Sequence, residues 1–234
     1  MSRVARRLAA LVAVLLVAAL SVSCSDAELN AILDEVIDEI DNANAGGAGK
    51  VPADAGKALS KLEVSPPGSM AGYDREDFPH WSDAQENGWR VSDSSCDTRD
   101  AALIRDGEDV VVGEGCDVES GRWLDPYTER TYTDPLDIDI DHIVPLANAY
   151  RSGASGWDEA ERERYANDPN NLLSVEDNAN QSKGDKGPEA WKPPNRAIWC
   201  SYAKRWISVK SNYDLTVNPQ EKAVLKQMLA TCNK

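Results

Sequence analysis

The chain has 234 residues, a formal net charge of −15, and seven Trp and seven Tyr against a single Phe, enough for one domain of ordinary size with a real core plus extensions. So acidic a balance argues against a tight, nonspecific nucleic-acid binder, because phosphate contacts need Lys and Arg. With only two histidines, His80 and His142, the chain also cannot be a His-Glu-x-x-His metalloprotease or a three-His zinc enzyme.

The charge is uneven. Residues 67–185 hold 28 acids against 10 bases, whereas residues 186–234 hold nine bases against three acids. Arg3, Arg6 and Arg7 precede an uncharged run of Leu, Ala and Val from Leu8 to Leu20, then Ser21, Ser23 and Cys24. This is the layout of an export signal over residues 1–23, too short an apolar run for a comfortable membrane span. Leu20-Ser21-Val22-Ser23-Cys24 also resembles a bacterial lipobox, which would make Cys24 a lipidated first residue and anchor the chain to the cell surface. The Leu stands four rather than three residues before the Cys, and Ser21-Val22-Ser23 equally suits ordinary signal peptidase and free secretion.

Five Cys is an odd number for an exported protein, and setting Cys24 aside leaves Cys96, Cys116, Cys200 and Cys232. Four allow three pairings. Local closure favours Cys96–Cys116 and Cys200–Cys232, each loop contributing about 3 kcal/mol in a chain-entropy account. None forms a Cys-x-x-Cys pair, which speaks against structural zinc.

Leu29, Ile32, Leu33, Val36, Ile37 and Ile40 recur at helical spacing opposite acids, and a Gly/Ala-rich tether follows from Asn42 to Lys50. A brief helical run from Ala55 to Leu62 stops before Pro66-Pro67-Gly68. Residues 24–63 are therefore read as an acidic helix and linker, and residues 64–234 as the main domain. Short strands fit Val110–Val112, Gly121–Leu124 and Arg130–Tyr132. Ser155-x-x-Asp158 suggests a capping box for a helix through Tyr165, Asn195 caps a longer helix, and Asn218-Pro219 starts the last one. Tyr73, Phe78 and Trp81 suit core packing. Lys204, Arg205, Lys210, Lys222 and Lys226 are most simply solvated faces.

The middle of the domain carries the chemistry. It opens with Asp137-Ile138-Asp139-Ile140-Asp141-His142-Ile143-Val144-Pro145 and closes with Asn170-Asn171-Leu172-Leu173-Ser174-Val175-Glu176-Asp177-Asn178-Ala179-Asn180-Gln181-Ser182-Lys183. Neutral imidazole suits proton removal near neutrality. Neighbours on a regular strand face opposite ways, so Asp141 and His142 can share a site only where the strand ends, and Pro145 places an end nearby.

These two stretches resemble the HNH nuclease family. The order Tyr73-x-Arg75-x-x-Phe78, Trp81-x-Asp83 and Cys96-x-Thr98-Arg99 ahead of them looks like its secreted actinobacterial, DUF1524-like branch, so that the resemblance spans roughly residues 60–234. It implies an α+β fold: a ββα-metal core with added short strands and C-terminal helices, stapled by disulfides. It implies a metal-dependent endonuclease in which His142 is the general base, Asn171 orients the loop or His142, and Lys183 meets a phosphate. Asp141 and Asn180 would hold Mg²⁺ or Mn²⁺, since oxygen donors suit these better than zinc. Many HNH members have His where this chain has Asn180, and Glu176 and Asn178 are alternatives for that ligand. Arg75 and Arg99 are candidate phosphate contacts. The implied partner is nucleic acid, DNA ahead of RNA, with no stable protein partner. Two rivals stand beside this: a non-catalytic envelope lipoprotein that keeps the fold to bind a protein, and a phosphatase of small phosphoesters.

Overall fold

The computed structural model describes residues 54–232. The signal peptide, Cys24, the Leu29–Ile40 stripe and the Gly/Ala tether lie outside the described residues. The described chain starts with helix α1 (Ala55–Lys61), N-capped by Asp54, whose side chain accepts from the Lys57 N–H. Although the sequence assigns this run to the linker, Ala55, Leu59 and Leu62 belong to the main apolar cluster. Lys222 Nζ donates to the Leu62 carbonyl at 3.0 Å and so ties the end of α1 to the body.

Helix α2 (Thr98–Asp106) opens with a reciprocal capping box between Asp97 and Asp100. Strands β1 (Glu108–Val112), β2 (Val118–Leu124) and β3 (Thr131–Tyr132) follow and form an antiparallel sheet in the order β1-β2-β3. Cys96–Cys116 links the chain two residues before α2 to the β1–β2 connection. Then come β4 (Ile138–His142), helix α3 (Leu146–Arg151), helix α4 (Glu159–Ala166), β5 (Leu172–Glu176) and helix α5 (Asp177–Lys183). β4 and β5 pair antiparallel from Ile138↔Glu176 to His142↔Leu172. Gly184 ends α5 at φ +53°, ψ −132°, a left-handed conformation that favours glycine. Helix α6 (Trp199–Asn212) and helix α7 (Pro219–Leu229) close the fold, joined by Cys200–Cys232. Among the described residues the fold is mixed α+β, with two small sheets and two disulfides.

The β4–β5 hairpin lies at the seam between two apolar clusters. Ile138, Ile140 and Leu172 pack with α2, Trp89 and Trp123. Ile143, Val144, Leu146 and Val175 pack with the α6 and α7 residues Trp206, Ile207, Leu225 and Met228. The alternation of Ile and Asp along β4 thus gives its isoleucines to one cluster and leaves Asp139 and Asp141 for α5 on the other face.

Two expectations change. The α4 cap is Asp158, which accepts from the Glu161 N–H, because Ala154–Gly156 form a 3₁₀ turn and Trp157 is extended; Ser155 therefore sits too early to cap. Arg205 and Lys210 are not on solvated faces. Arg205 donates to the carbonyls of Asn170 and Leu172, holding the entry to β5. Lys210 is fully buried, 2.8 Å from Glu221, because α6 is covered on that side by α7.

Candidate active site

Helix α5 is matched to β4 by two periodicities. Asn180 and Lys183 are three apart and share a helix face, while Asp139 and Asp141 are two apart and share a strand face. Asn180 Nδ2 donates to Asp139 Oδ2 at 3.2 Å, and Lys183 Nζ donates to Asp141 Oδ1 at 2.6 Å. The second oxygen of Asp141 accepts from the Tyr127 hydroxyl at 2.5 Å. Burial pushes the Asp141 carboxyl up, while Lys183 and the Tyr127 hydroxyl act against that shift.

β4 ends at His142, which still pairs in register with Leu172. Asp141 and His142 line one cavity of about 220 Å³, together with Arg75, Ile140, Pro145, Leu146, Asn180, Gln181 and Gly184. His142 Nε2 lies 2.8 Å from the Ala166 carbonyl at the end of α4. A carbonyl only accepts, so Nε2 carries the hydrogen and the lone pair of the neutral ring is on Nδ1. Burial, with the nearby charges of Arg75, His80 and Lys183, lowers the His142 pKa to about 3 against the opposing bond to Ala166, so the ring is neutral at neutral pH.

The other candidate residues fall in distinct places. Asn171 is fully buried; its Oδ1 accepts from the Val144 N–H at 2.9 Å and its Nδ2 donates to the Val144 carbonyl at 3.3 Å. It therefore braces the loop after β4 and makes no bond to the imidazole. Lys183 is closed to solvent, and its ammonium is spent on Asp141 and on the His142 carbonyl at 2.8 Å, which turns it away from any phosphate. Arg75 is exposed and reaches the cavity. Arg99 is half-buried, donates to the Ile138 carbonyl at 3.3 Å, and does not line the cavity. Glu176 caps α5 by accepting from the Ala179 N–H and also accepts from Asn178 Nδ2, so both alternatives to Asn180 are occupied with each other.

Among the described residues no group of three or more His, Cys, Asp and Glu side chains is placed to hold a metal ion. The oxygen acceptors to be considered are those of Asp141 and Asn180. With Nδ2 given to Asp139, Asn180 keeps its carbonyl Oδ1 as an acceptor, and each Asp141 oxygen keeps a second lone pair beyond the one it uses. Asp141 and Asn180 both line the cavity, and a pair of oxygen-bearing side chains suits an ion that retains several waters, as Mg²⁺ does, better than zinc. The adjacent Lys183 ammonium already offsets the Asp141 charge and weakens the attraction for a cation.

Sequence reasoning missed Tyr127 and Ala166. Tyr127 follows Asp125, whose carboxylate accepts from the Tyr127 and Thr128 N–H groups and fixes a tight turn. An aromatic residue in so polar a turn was the available signal. The Ala166 carbonyl had none, since any residue there supplies the same acceptor.

Residues 97–228 match the family described as the C-terminal domain of GmrSD restriction endonucleases. A protein of Arthroderma benhamiae described as an uncharacterized secreted protein is 48% identical over 176 residues, covering 74% of this chain and 82% of its own length. No solved structure matches the chain. Among the described residues no helix is long and apolar enough to cross a membrane.

Proposed function

The chain belongs to the family of GmrSD restriction endonuclease C-terminal domains, a nuclease-related family, and from that membership we propose that it is an exported, divalent-metal-dependent HNH-type endonuclease. In this reading β4, β5 and α5 form the ββα unit of the site, and the substrate is a nucleic-acid phosphodiester. The observation that carries it is the convergence of Asp141, His142, Asn180 and the exposed Arg75 on one cavity.

His142 is the general base. Its Nε2–H is committed to Ala166, so Nδ1 takes the proton of the attacking water while the Ala166 carbonyl steadies the ring as it becomes charged. Asp141 and Asn180 would hold Mg²⁺ or Mn²⁺, which when bound supplies charge neutralisation at the phosphate and the leaving oxygen. Arg75 meets phosphate oxygens at the cavity mouth. Tyr127 and Lys183 fix the Asp141 carboxylate from two sides, and Asn171 fixes the loop that follows His142. Export rests on the residues 1–23 signal, with Cys24 as lipid anchor, and agrees with the description of the relative as secreted.

The test is to purify the chain from Ser25 onward with its disulfides intact. It is then incubated with plasmid DNA and with RNA, in Mg²⁺, in Mn²⁺ and in EDTA. Metal-dependent cleavage of a polymer supports the reading. A second reading, a non-catalytic binding module on the same fold, draws on Asp141 having both oxygens satisfied inside the chain; a folded protein that cleaves nothing in any condition favours it.

A further inference from the structure

An aromatic side chain beside the cavity has no part in the scheme above. The Trp81 ring lies 6.0 Å from the His142 ring, centroid to centroid, with 31° between the planes. His80 meets the same indole edge-on at 5.2 Å, so both histidines of the chain adjoin Trp81. Trp81 is partly exposed. Of the seven tryptophans, all among the described residues, five donate their indole N–H to a protein acceptor, Trp89 to Asn167 and Trp206 to Glu221 for example. Trp81 makes no such bond to a described residue.

Its backbone is held in an uncommon state. Trp81 has φ +62°, the left-handed region that a bulky aromatic residue rarely adopts. Such a conformation persists only where the surroundings impose it, and here they do. Phe78 is fully buried, and the Pro79 carbonyl accepts from Asn167 Nδ2 at 2.8 Å. On the other side the Ser82 N–H donates to Asn167 Oδ1 at 3.1 Å and its hydroxyl to Glu163 at 2.6 Å. The loop is pinned before and after Trp81, and the indole is presented next to the catalytic imidazole.

Charge adds a second argument. With 28 acids against 10 bases over residues 67–185, the segment that carries the site is a poor match for a polyanion. Contacts that do not depend on charge then add to those of Arg75, and an aromatic face against a base is one. We infer that Trp81 stacks on the nucleobase adjoining the phosphate in the cavity, and that the substrate is therefore a single strand or an unpaired segment of nucleic acid. A base within a duplex is covered on both faces by its neighbours and offers none to the indole. The inference rests on the nuclease reading and specifies its substrate class.

The experiment compares the protein after signal-peptide removal with Trp81→Leu, which keeps apolar bulk without a π face, and Trp81→Phe, which keeps a π face. Binding of labelled single-stranded DNA and RNA, the matching duplexes, and single strands with one abasic position beside the cleaved bond is followed by anisotropy in EDTA, and cleavage in Mg²⁺ or Mn²⁺. The expected result is tighter binding of single strands than of duplexes. Trp81→Leu should raise Kd and KM about 5-fold to 100-fold, with substantial recovery in Trp81→Phe and little change on the abasic strand. If the wild type cleaves but Trp81→Leu leaves KM unchanged, or duplexes bind better, the stacking inference is overturned and the nuclease stands. If nothing is cleaved yet single-strand binding still falls in Trp81→Leu and recovers in Trp81→Phe, stacking stands and hydrolysis falls. Absence of both cleavage and binding overturns both. If Trp81→Leu does not fold, discrimination by the wild type against the abasic strand decides, and equal binding of the two strands overturns the inference.

Discussion

Lys183 Nζ lies 2.6 Å from Asp141 Oδ1, with the two side chains 0% and 5% exposed. Burial pushes the Lys183 ammonium down and the Asp141 carboxyl up, and each group restrains the other. Such a pair adds little net stability, because desolvation offsets the attraction, but breaking it leaves one buried charge alone. The pair also stitches α5 to the end of β4, the point at which the proposed ligand and base stand side by side.

Lys183→Met is therefore expected to destabilise the protein by about 3–5 kcal/mol, since Asp141 loses its cation and the His142 carbonyl loses a donor. Urea unfolding of variant and wild type measures the difference. A loss below about 1 kcal/mol would mean that the pair is not closed to water as described.

Tyr127→Phe removes one hydroxyl and nothing else. It is expected to cost about 1.5–3 kcal/mol of stability, the range for a hydrogen bond to a charged group, and to slow cleavage by freeing the Asp141 carboxylate to rotate. Thermal unfolding and a cleavage time course with the same preparation separate the two effects.

Arg75→Ala should leave the melting temperature unchanged, because Arg75 is exposed at the cavity mouth. It should raise KM for a polynucleotide, with the difference from wild type shrinking as salt is added. Steady-state cleavage at two ionic strengths checks both. Arg99→Ala, which loses a bond to the Ile138 carbonyl and no cavity contact, is expected to move stability more than KM.

Much of this arrangement was legible in the sequence. The Ile and Asp alternation that stops at His142, and the three-residue step from Asn180 to Lys183, are local periodicities, and a strand and a helix follow from them directly. The Asn218 cap with Pro219 behind it marks the start of α7. What was not legible depends on pairs distant in the chain. The bond from Tyr127 to Asp141 exists only because the Asp125 turn carries that ring back beneath β4. Ala166 reaches His142 across 24 residues with a carbonyl that every residue type possesses. Charge is normally outside, and only the partners that the β5 entry and α7 bring explain why Arg205 is half-buried and Lys210 buried. The sequence suits Trp81 to the core, and it does pack on one apolar cluster, but its place beside His142 is a fact of tertiary structure.

Asp100 gives a pH test away from the site. Burial, then the charge of Asp97, raises its pKa from 3.8 to about 6. The folded state thus binds a proton more tightly than the unfolded chain does, so this residue's contribution to stability is greatest in acid and is lost as pH rises from about 4 to about 6. Asp100→Asn retains an acceptor for the Asp97 N–H and removes the ionisation. The variant should match the wild type near pH 4 and be the more stable of the two above pH 6, as read from urea unfolding across that range. Equal pH profiles for the two proteins would contradict the assignment.

In the proposed reaction, His142 Nδ1 removes the proton from the attacking water. The most direct measurement is the single-turnover cleavage rate of a polynucleotide in Mg²⁺ or Mn²⁺ by the wild type and by His142→Ala, with thermal unfolding confirming that the variant is folded. The expected result is a fall of about 10²- to 10⁴-fold, the usual contribution of a positioned general base, with substrate binding in EDTA retained. Cleavage that still requires the metal but proceeds at the full rate in His142→Ala would contradict it.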